Sequence, residues 1–210
     1  MKELFIKGLS MIGIDYNSRQ LEVLVDFYNE LSIWNRKAGF IKAEGEDLVI
    51  RHFFDSLAGV PLLEKIDFKT AADAGSGAGF PGIPLSIFFP DRHFTLIERS
   101  SKKTAFLNNC RMLFALDNIS VEESELENID RVFDIVAFRA FRSFSEYYLH
   151  LFRILSENGS LFAYKGRKEE IESEMKSTGI RDYLVQQVNV PFMTEERHIV
   201  TAGRSGVVSL

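Results

Sequence analysis

Cysteine is almost absent: Cys110 is the only one in 210 residues. That excludes a disulfide framework and a cysteine-based zinc cluster. Long apolar runs are missing too. None reaches the ~18 residues that a membrane-spanning helix needs. The start, Met1-Lys2-Glu3-Leu4, lacks the apolar core and cleavage site of a secretory signal. A cytoplasmic location is the expectation. Histidine is scarce, and His93 and His150 have no metal-ligand partners at suitable spacing, so no metal is expected. A basic excess is also lacking. The formal net charge is −5, where a nucleic-acid partner would favour a basic domain. Net charge can still hide a local basic face, because acidic residues crowd into Glu122–Glu127 and Glu169–Glu174.

Glycine, by contrast, is concentrated in one place, Asp73-Ala74-Gly75-Ser76-Gly77-Ala78-Gly79-Phe80-Pro81-Gly82. Apolar segments flank it, which reads as strand, tight turn, helix start. Glycine permits positive φ and close approach of a ligand to the backbone. A helix N-terminus behind the turn is expected to offer unpaired N–H groups to a ligand with phosphate, carboxylate or ribose groups.

Before this turn the apolar spacing is helical. One segment carries Leu4, Phe5, Leu9 and Ile12 and ends at Gly13. A second carries Leu21, Leu24, Phe27, Tyr28, Leu31 and Trp34, with Asn17 or Ser18 as its cap. Residues 35–45 read as a loop, and a third helix spans about Asp47 to Ala58, ended by Gly59 and Pro61. After residue 66 strands and helices alternate. Strands are expected at Phe68–Ala74, His93–Glu98, Asn118–Val121, Phe133–Phe138 and Ser160–Tyr164. Helices are expected at Ile83–Phe89, from Ser100 or Ser101 through Phe114, from Ser143 to near Gly159, and at Lys168–Ser177. Tyr183–Val190 and Arg197–Ala202 alternate and suggest an antiparallel pair at a sheet edge. The pattern implies an α/β fold with a mostly parallel sheet covered on both faces. Residues 1–62 form a helical N-terminal extension and 63–210 the α/β domain, packed as one unit.

Two ligands compete for the turn. Gly77-x-Gly79-x-x-Gly82 fits the dinucleotide fingerprint, and Glu98 lies at the distance of a ribose contact. That reading gives an NAD-dependent oxidoreductase. The other ligand is S-adenosylmethionine (SAM). Asp73 suits a ligand ammonium and conflicts with a pyrophosphate. Glu98 can accept from both ribose hydroxyls, and an antiparallel finish differs from a full dinucleotide fold. Taken singly, Asp73 is as well explained as a helix cap and Glu98 as an exposed strand-end charge.

Across nearly its whole length the chain resembles the RsmG, or GidB, family of bacterial small-subunit rRNA guanine-N7 methyltransferases. The resemblance is carried by Asp73-x-Gly75-Ser76-Gly77-Ala78-Gly79-Phe80-Pro81-Gly82-Ile83-Pro84-Leu85. It extends to Trp34-Asn35, Arg51-His52-x-x-Asp55-Ser56, Leu96-Ile97-Glu98 with Lys102-Lys103, Arg139-Ala140-Phe141, Lys165-Gly166 and Glu196-Arg197-His198. Gly39-Phe40-Ile41 stands where the family usually has Asn-Leu-Thr. The resemblance implies a class I SAM-dependent methyltransferase fold, a Rossmann-like seven-stranded mixed sheet. It implies methyl transfer to N7 of one guanosine in the 530 loop of 16S rRNA, with free rRNA or the small ribosomal subunit as partner. By position it implies cofactor contacts at Gly75, Phe80, Leu126, Glu127 and Arg139, beside Asp73, Gly77, Gly79 and Glu98 of the turn reading.

N7 of guanine has a lone pair and no proton, so no general base is required. Catalysis then reduces to alignment and exclusion of water. Arg139, ending an apolar strand, is the candidate positioning group. Arg51, His52, Lys102, Lys103, Lys165, Arg197 and His198 are candidates for an RNA-gripping rim. Arg51 and Asp55, one helical turn apart, also read as a plain surface ion pair. Phe80, Phe141 and Phe144 are candidates to stack on a splayed-out base. A monomer is expected. A non-catalytic RNA-binding or ribosome-assembly protein remains a third reading.

Overall fold

A computed structural model describes residues 1–139 and 144–204. The extension opens with α1 (Lys2–Ile12), closed by Gly13 in the left-handed region. In α2 (Ser18–Ala38), Asn17 caps the start and exchanges bonds with Gln20 in a capping box, and Gly39 closes the end with φ 63°. The helix therefore includes residues 35–38, expected as loop. Its apolar face runs on through Trp34, and Gly39 is the first residue able to turn the chain out.

Next comes a rod of three consecutive pieces: α3 (Gly45–Leu48), a π-helical segment (Val49–Phe54) and α4 (Asp55–Leu57). The π segment was not legible in the residue spacing. Pro61 does not end this rod. It lies in the first turn of a further short helix, α5 (Val60–Leu63), where its missing N–H costs nothing.

Seven strands follow: β1 (Thr70–Ala74), β2 (His93–Glu98), β3 (Ile119–Glu123), β4 (Phe133–Arg139), β5 (Leu155–Lys165), β6 (Leu184–Val188) and β7 (Arg197–Gly203). They form one sheet of order β3-β2-β1-β4-β5-β7-β6. The pairs from β3 through β5 are parallel, and β7 is antiparallel to both β5 and β6. Between the strands lie α6 (Gly82–Phe88), α7 (Ser101–Leu113), α8 (Phe144–Arg153) and α9 (Lys168–Thr178). The expected start of α8 at Ser143 falls outside the described residues. Its end comes early, at Arg153. β5 begins at Leu155 and bulges: Leu155 pairs with Phe133, whereas Ser160 pairs with Ile135. The polar run Ser156–Gly159, expected as the end of that helix, is that bulge.

Side chains alternate to both faces of the sheet and both are covered. One face meets α8 and α9 through Val136, Phe138, Phe144, Leu151, Ile171 and Met175. The other meets α6, α7 and the whole extension. A chain of rings joins them: Phe5 to Phe53 at 5.2 Å, Phe53 to Phe80 at 5.0 Å, and Phe27 to both Phe80 and Phe106. Phe80 belongs to the glycine turn, so residues from the extension pack directly under it.

Candidate functional site

The turn between β1 and α6 is built by backbone hydrogen bonding. Gly75, Gly77 and Gly79 have φ of 74°, 59° and 91°, the left-handed region that side chains resist. Gly75 N–H and Ser76 N–H both donate to Ile97 O at 3.0 Å, which clips the turn to the end of β2. Gly77 N–H donates to Glu98 Oε2 at 2.9 Å and Gly82 N–H to Asp73 Oδ2 at 2.8 Å. Gly79 and Phe80 donate to Ser76 O, Ile83 to Gly79 O and Leu85 to Pro81 O. Pro81 and Pro84 have no N–H. The expected array of unpaired N–H groups is therefore corrected. The N–H groups of Gly75, Ser76, Gly77, Gly79, Phe80, Gly82, Ile83 and Leu85 are spent within the protein, which leaves Ala78 N–H as the open donor of the turn among the described residues. A Cβ on Gly82 would lie 2.3 Å from Leu96 Cδ2 and 2.6 Å from Asp73 Oδ2, so this glycine is required by close packing.

Asp73 and Glu98 end the first two strands. Asp73 is 1% exposed. Its Oδ2 caps α6 through Gly82, as in the plain capping reading. Its Oδ1 has no hydrogen-bond partner among the described residues. Burial pushes the carboxyl from 3.8 up to about 7; the Gly82 N–H, the Ser76 hydroxyl and the Arg139 guanidinium only partly oppose this, and the Glu98 carboxylate adds to it. A buried acceptor left open is costly, and a ligand bringing an ammonium would fit it. Glu98 is nearly buried. Its Oε1 accepts from Ser100 N–H and its Oε2 from Gly77 N–H, both at 2.9 Å, with Lys103 Nζ 3.9 Å away. Each oxygen keeps one lone pair. Glu98 is thus a structural clasp, joining the glycine turn to the start of α7.

A cleft of about 260 Å³ opens beside Glu98, lined by Gly75, Glu98, Lys103, Leu126, Glu127 and Arg139 with their neighbours, whereas Asp73, Gly77, Gly79 and Phe80 lie behind its lining. Lys103, expected on an RNA rim, is thereby placed in this cleft. Leu126 is buried and Glu127 exposed on the 3₁₀ turn Leu126–Asn128. Behind Arg139 lies a second cleft of about 470 Å³, lined among others by Arg51, His52, Tyr164, Lys165, Met193 and Arg197. Arg139 is common to both.

Arg139 is held on several sides. Its Nη1 donates to Arg51 O at 2.8 Å and to Asp55 Oδ2 at 3.1 Å, and its Nη2 meets His52 Nδ1 at 2.5 Å. The Phe80 ring lies 5.3 Å below the guanidinium carbon. Asp55, 2% exposed, also takes Arg197 Nε on Oδ1 at 2.6 Å and Arg197 Nη2 on Oδ2 at 2.8 Å. The surface Arg51–Asp55 pair is therefore overturned. Arg51 instead reaches Glu195, 2.9 Å away, and Asp55 lies inside, between two arginines. Burial, with Arg139 and Arg51 nearby, lowers His52 from 6.5 to about 3. The ring stays neutral and its Nδ1 can accept from Arg139.

The expected basic rim is only partly there. His198 is buried, with Nδ1 2.6 Å from Gly166 O, and faces no solvent. Lys165 is bonded to Glu174 at 2.6 Å and lies over the Phe138 and Phe144 rings. Arg197 is committed to Asp55. Arg51 and Lys102 are exposed, and Lys102 covers the Phe40 ring at 5.9 Å. Of the stacking candidates, Phe80 and Phe144 are core residues; Phe144 lies flat on Phe138 at 5.5 Å. Phe141 lies outside the described residues. Cys110 is buried, which raises its thiol far above the usual range. Tyr164, whose hydroxyl donates to Ser56 O at 2.7 Å, was not singled out from sequence, and Asp55 was read only as a surface partner of Arg51. Their partners lie more than eighty residues away along the chain, and only a buried, unexplained acid in the quoted Arg-His-x-x-Asp run hinted at them.

A family model described as rRNA small subunit methyltransferase G matches residues 20–200. Proteins named ribosomal RNA small subunit methyltransferase G are similar along most of the chain. The one from Treponema denticola is 32% identical, covering 94% of this chain and 92% of its own. The one from Francisella tularensis subsp. novicida is 31% identical, covering 95% and 96%. Among solved structures, a putative O-methyltransferase from Klebsiella pneumoniae superimposes with a TM-score of 0.60 at 13% identity, over 84% of this chain and 89% of that one. A ribosomal protein L11 methylase from Lactobacillus delbrueckii subsp. bulgaricus gives 0.55 at 13% identity, over 71% and 76%. These two share the fold.

Proposed function

The chain belongs to the rRNA small subunit methyltransferase G family, and from that premise we propose that it transfers a methyl group from SAM to N7 of a guanosine in the 530 loop of 16S rRNA. The observation that carries this reading is the pair of clefts sharing Arg139. One takes the cofactor and the other the target nucleoside, so donor and acceptor meet at a single side chain.

When bound, SAM supplies an electrophilic sulfonium methyl. The chain's own residues hold it. The open Oδ1 of Asp73 takes the ammonium, and Glu98 takes ribose hydroxyls on its remaining lone pairs. Gly75, Gly77 and Gly79 give the backbone shape that lets a ligand lie close. Leu126 and Glu127 flank the adenine. Arg139 closes the wall between the clefts. In the second cleft His52 Nδ1 is engaged by Arg139, and the carboxylates of Asp55, Glu174 and Glu195 are engaged by Arg197, Lys165 and Arg51. That suits a nucleophile with a free lone pair and no proton to lose. Alignment and removal of water supply the rate.

RNA is gripped at the exposed Arg51 and Lys102. The protein works as a monomer in the cytoplasm and needs no metal. Among the described residues no helix is long and apolar enough to cross a membrane. Residues 1–62 form the helical extension and 63–210 the methyltransferase domain.

The test uses small subunits and free 16S rRNA lacking the modification, incubated with purified protein and methyl-labelled SAM. Mass mapping is expected to find one N7-methylguanosine in the 530 loop. Label elsewhere, or NAD binding without SAM binding by calorimetry, refutes the proposal.

A further inference from the structure

The groups that hold Arg139 come from the extension, outside the sheet that carries the glycine turn. Between Val49 and Phe54 the rod is wound as π-helix. Such insertions are rare and recur at functional sites. Arg51 O, His52 Nδ1 and Asp55 Oδ2, from this segment and its C-terminal border, converge on one guanidinium.

Asp55 does more than neutralise it. It binds Arg197 with both oxygens, and Arg197 starts β7 at the far side of the second cleft. A buried carboxylate needs one cationic partner. A second arginine leaves these three side chains with a net positive charge, in a cleft that Glu174, Glu195 and Glu196 also line. Buried ionic groups of this kind often stabilise no better than packed apolar side chains of the same volume. Their use is in fixing geometry. Here the geometry fixed is that of Arg139, the side chain both clefts share among the described residues.

We propose that Asp55 is a positioning residue for methyl transfer: seated at the end of the π-turn and anchored by Arg197, it fixes the Arg139 guanidinium on the wall between cofactor and target nucleoside. This rests on the methyltransferase reading above. The helical extension is then part of the active site, and Asp55 acts on the reaction only through Arg139.

That dependence defines the test. Asp55→Asn keeps the shape and removes the charge. It is made alone, and together with Arg139→Gln. kcat and KM for rRNA are measured, with S-adenosylhomocysteine affinity by calorimetry and the melting temperature. In the otherwise wild-type chain, Asp55→Asn is expected to lower kcat about tenfold or more with KM for rRNA within roughly threefold. In the Arg139→Gln background it is expected to change kcat and S-adenosylhomocysteine affinity by less than about twofold.

Equal losses in both backgrounds, or a lowered melting temperature with unchanged kcat, overturn the proposal. If Asp55→Asn does not fold, Arg197→Lys takes its place: it keeps the charge and loses the two-pronged grip. It is expected to lower kcat about threefold, again only when Arg139 is present, and unchanged kcat overturns the proposal. Wild-type protein that methylates no rRNA refutes the functional reading. In that event the calorimetric cycle decides: S-adenosylhomocysteine affinity lowered by Asp55→Asn only where Arg139 is present supports the positioning role, and an equal or absent effect overturns it.

Discussion

Asp73 makes an acid–base prediction whose size follows from its surroundings. Burial raises its pKa from 3.8 to about 7. Between those values the native chain holds a proton that the unfolded chain has released. Native stability therefore falls as pH rises, by about 1.4 kcal/mol per unit and by at most about 4 kcal/mol over the window. His52 acts in the opposite sense. Burial and the neighbouring arginines lower it from 6.5 to about 3, so over that range the unfolded chain takes up a proton the native chain refuses. Stability then rises with pH.

The two slopes offset each other from about pH 4 to 6.5. Asp73→Asn keeps an acceptor for the Gly82 N–H and removes one slope, leaving the other. Urea unfolding of both proteins, in parallel at pH values from about 4 to 8, reads the difference. It is expected to move in favour of the variant by roughly 1 kcal/mol per pH unit and to level off above about pH 7. A constant difference, or one that moves towards the wild type, refutes burial of an uncompensated carboxyl as the cause.

Two further outcomes separate sterics from strain and grip from fold. Gly82→Ala drives a methyl into Leu96 and Asp73 and breaks the cap on α6. It is expected to cost about 3–5 kcal/mol. Gly77→Ala meets only Gly75 O at 3.9 Å and is expected to cost about 1–2 kcal/mol of backbone strain. Denaturant midpoints that rank the two the other way refute the packing account. Arg51→Ala removes an exposed side chain paired only at the surface. It is expected to change stability by less than about 1 kcal/mol and to lower the salt dependence of rRNA binding by about one charge. An unchanged salt slope removes Arg51 from the RNA contact.

Much of this protein was determined by sequence alone. Local rules place α1 and the start of α2, because Gly13 and Asn17 act on the residues beside them, whereas Gly39, read as part of a loop, closes α2 four residues later than expected. Period and length place the strands and helices of the α/β body. Four glycines bracketed by Asp73 and Glu98 mark the ligand turn, since only glycine takes three left-handed backbone positions cheaply. Local rules fail where partners are distant. Spacing within one helix paired Arg51 with Asp55; the folded chain pairs Asp55 with Arg139 and Arg197, and Arg51 with Glu195. His198 and Lys165 carry charge-capable groups in sequence, yet strand pairing buries one, and a carboxylate and two rings engage the other. The π-turn has no residue signature. It is held by what packs on it, and it decides which groups meet at Arg139. A backbone conformation can be read from its own residues, but the partner of a buried charge is chosen by the tertiary structure, because burial makes an unpaired charge too costly to leave to chance.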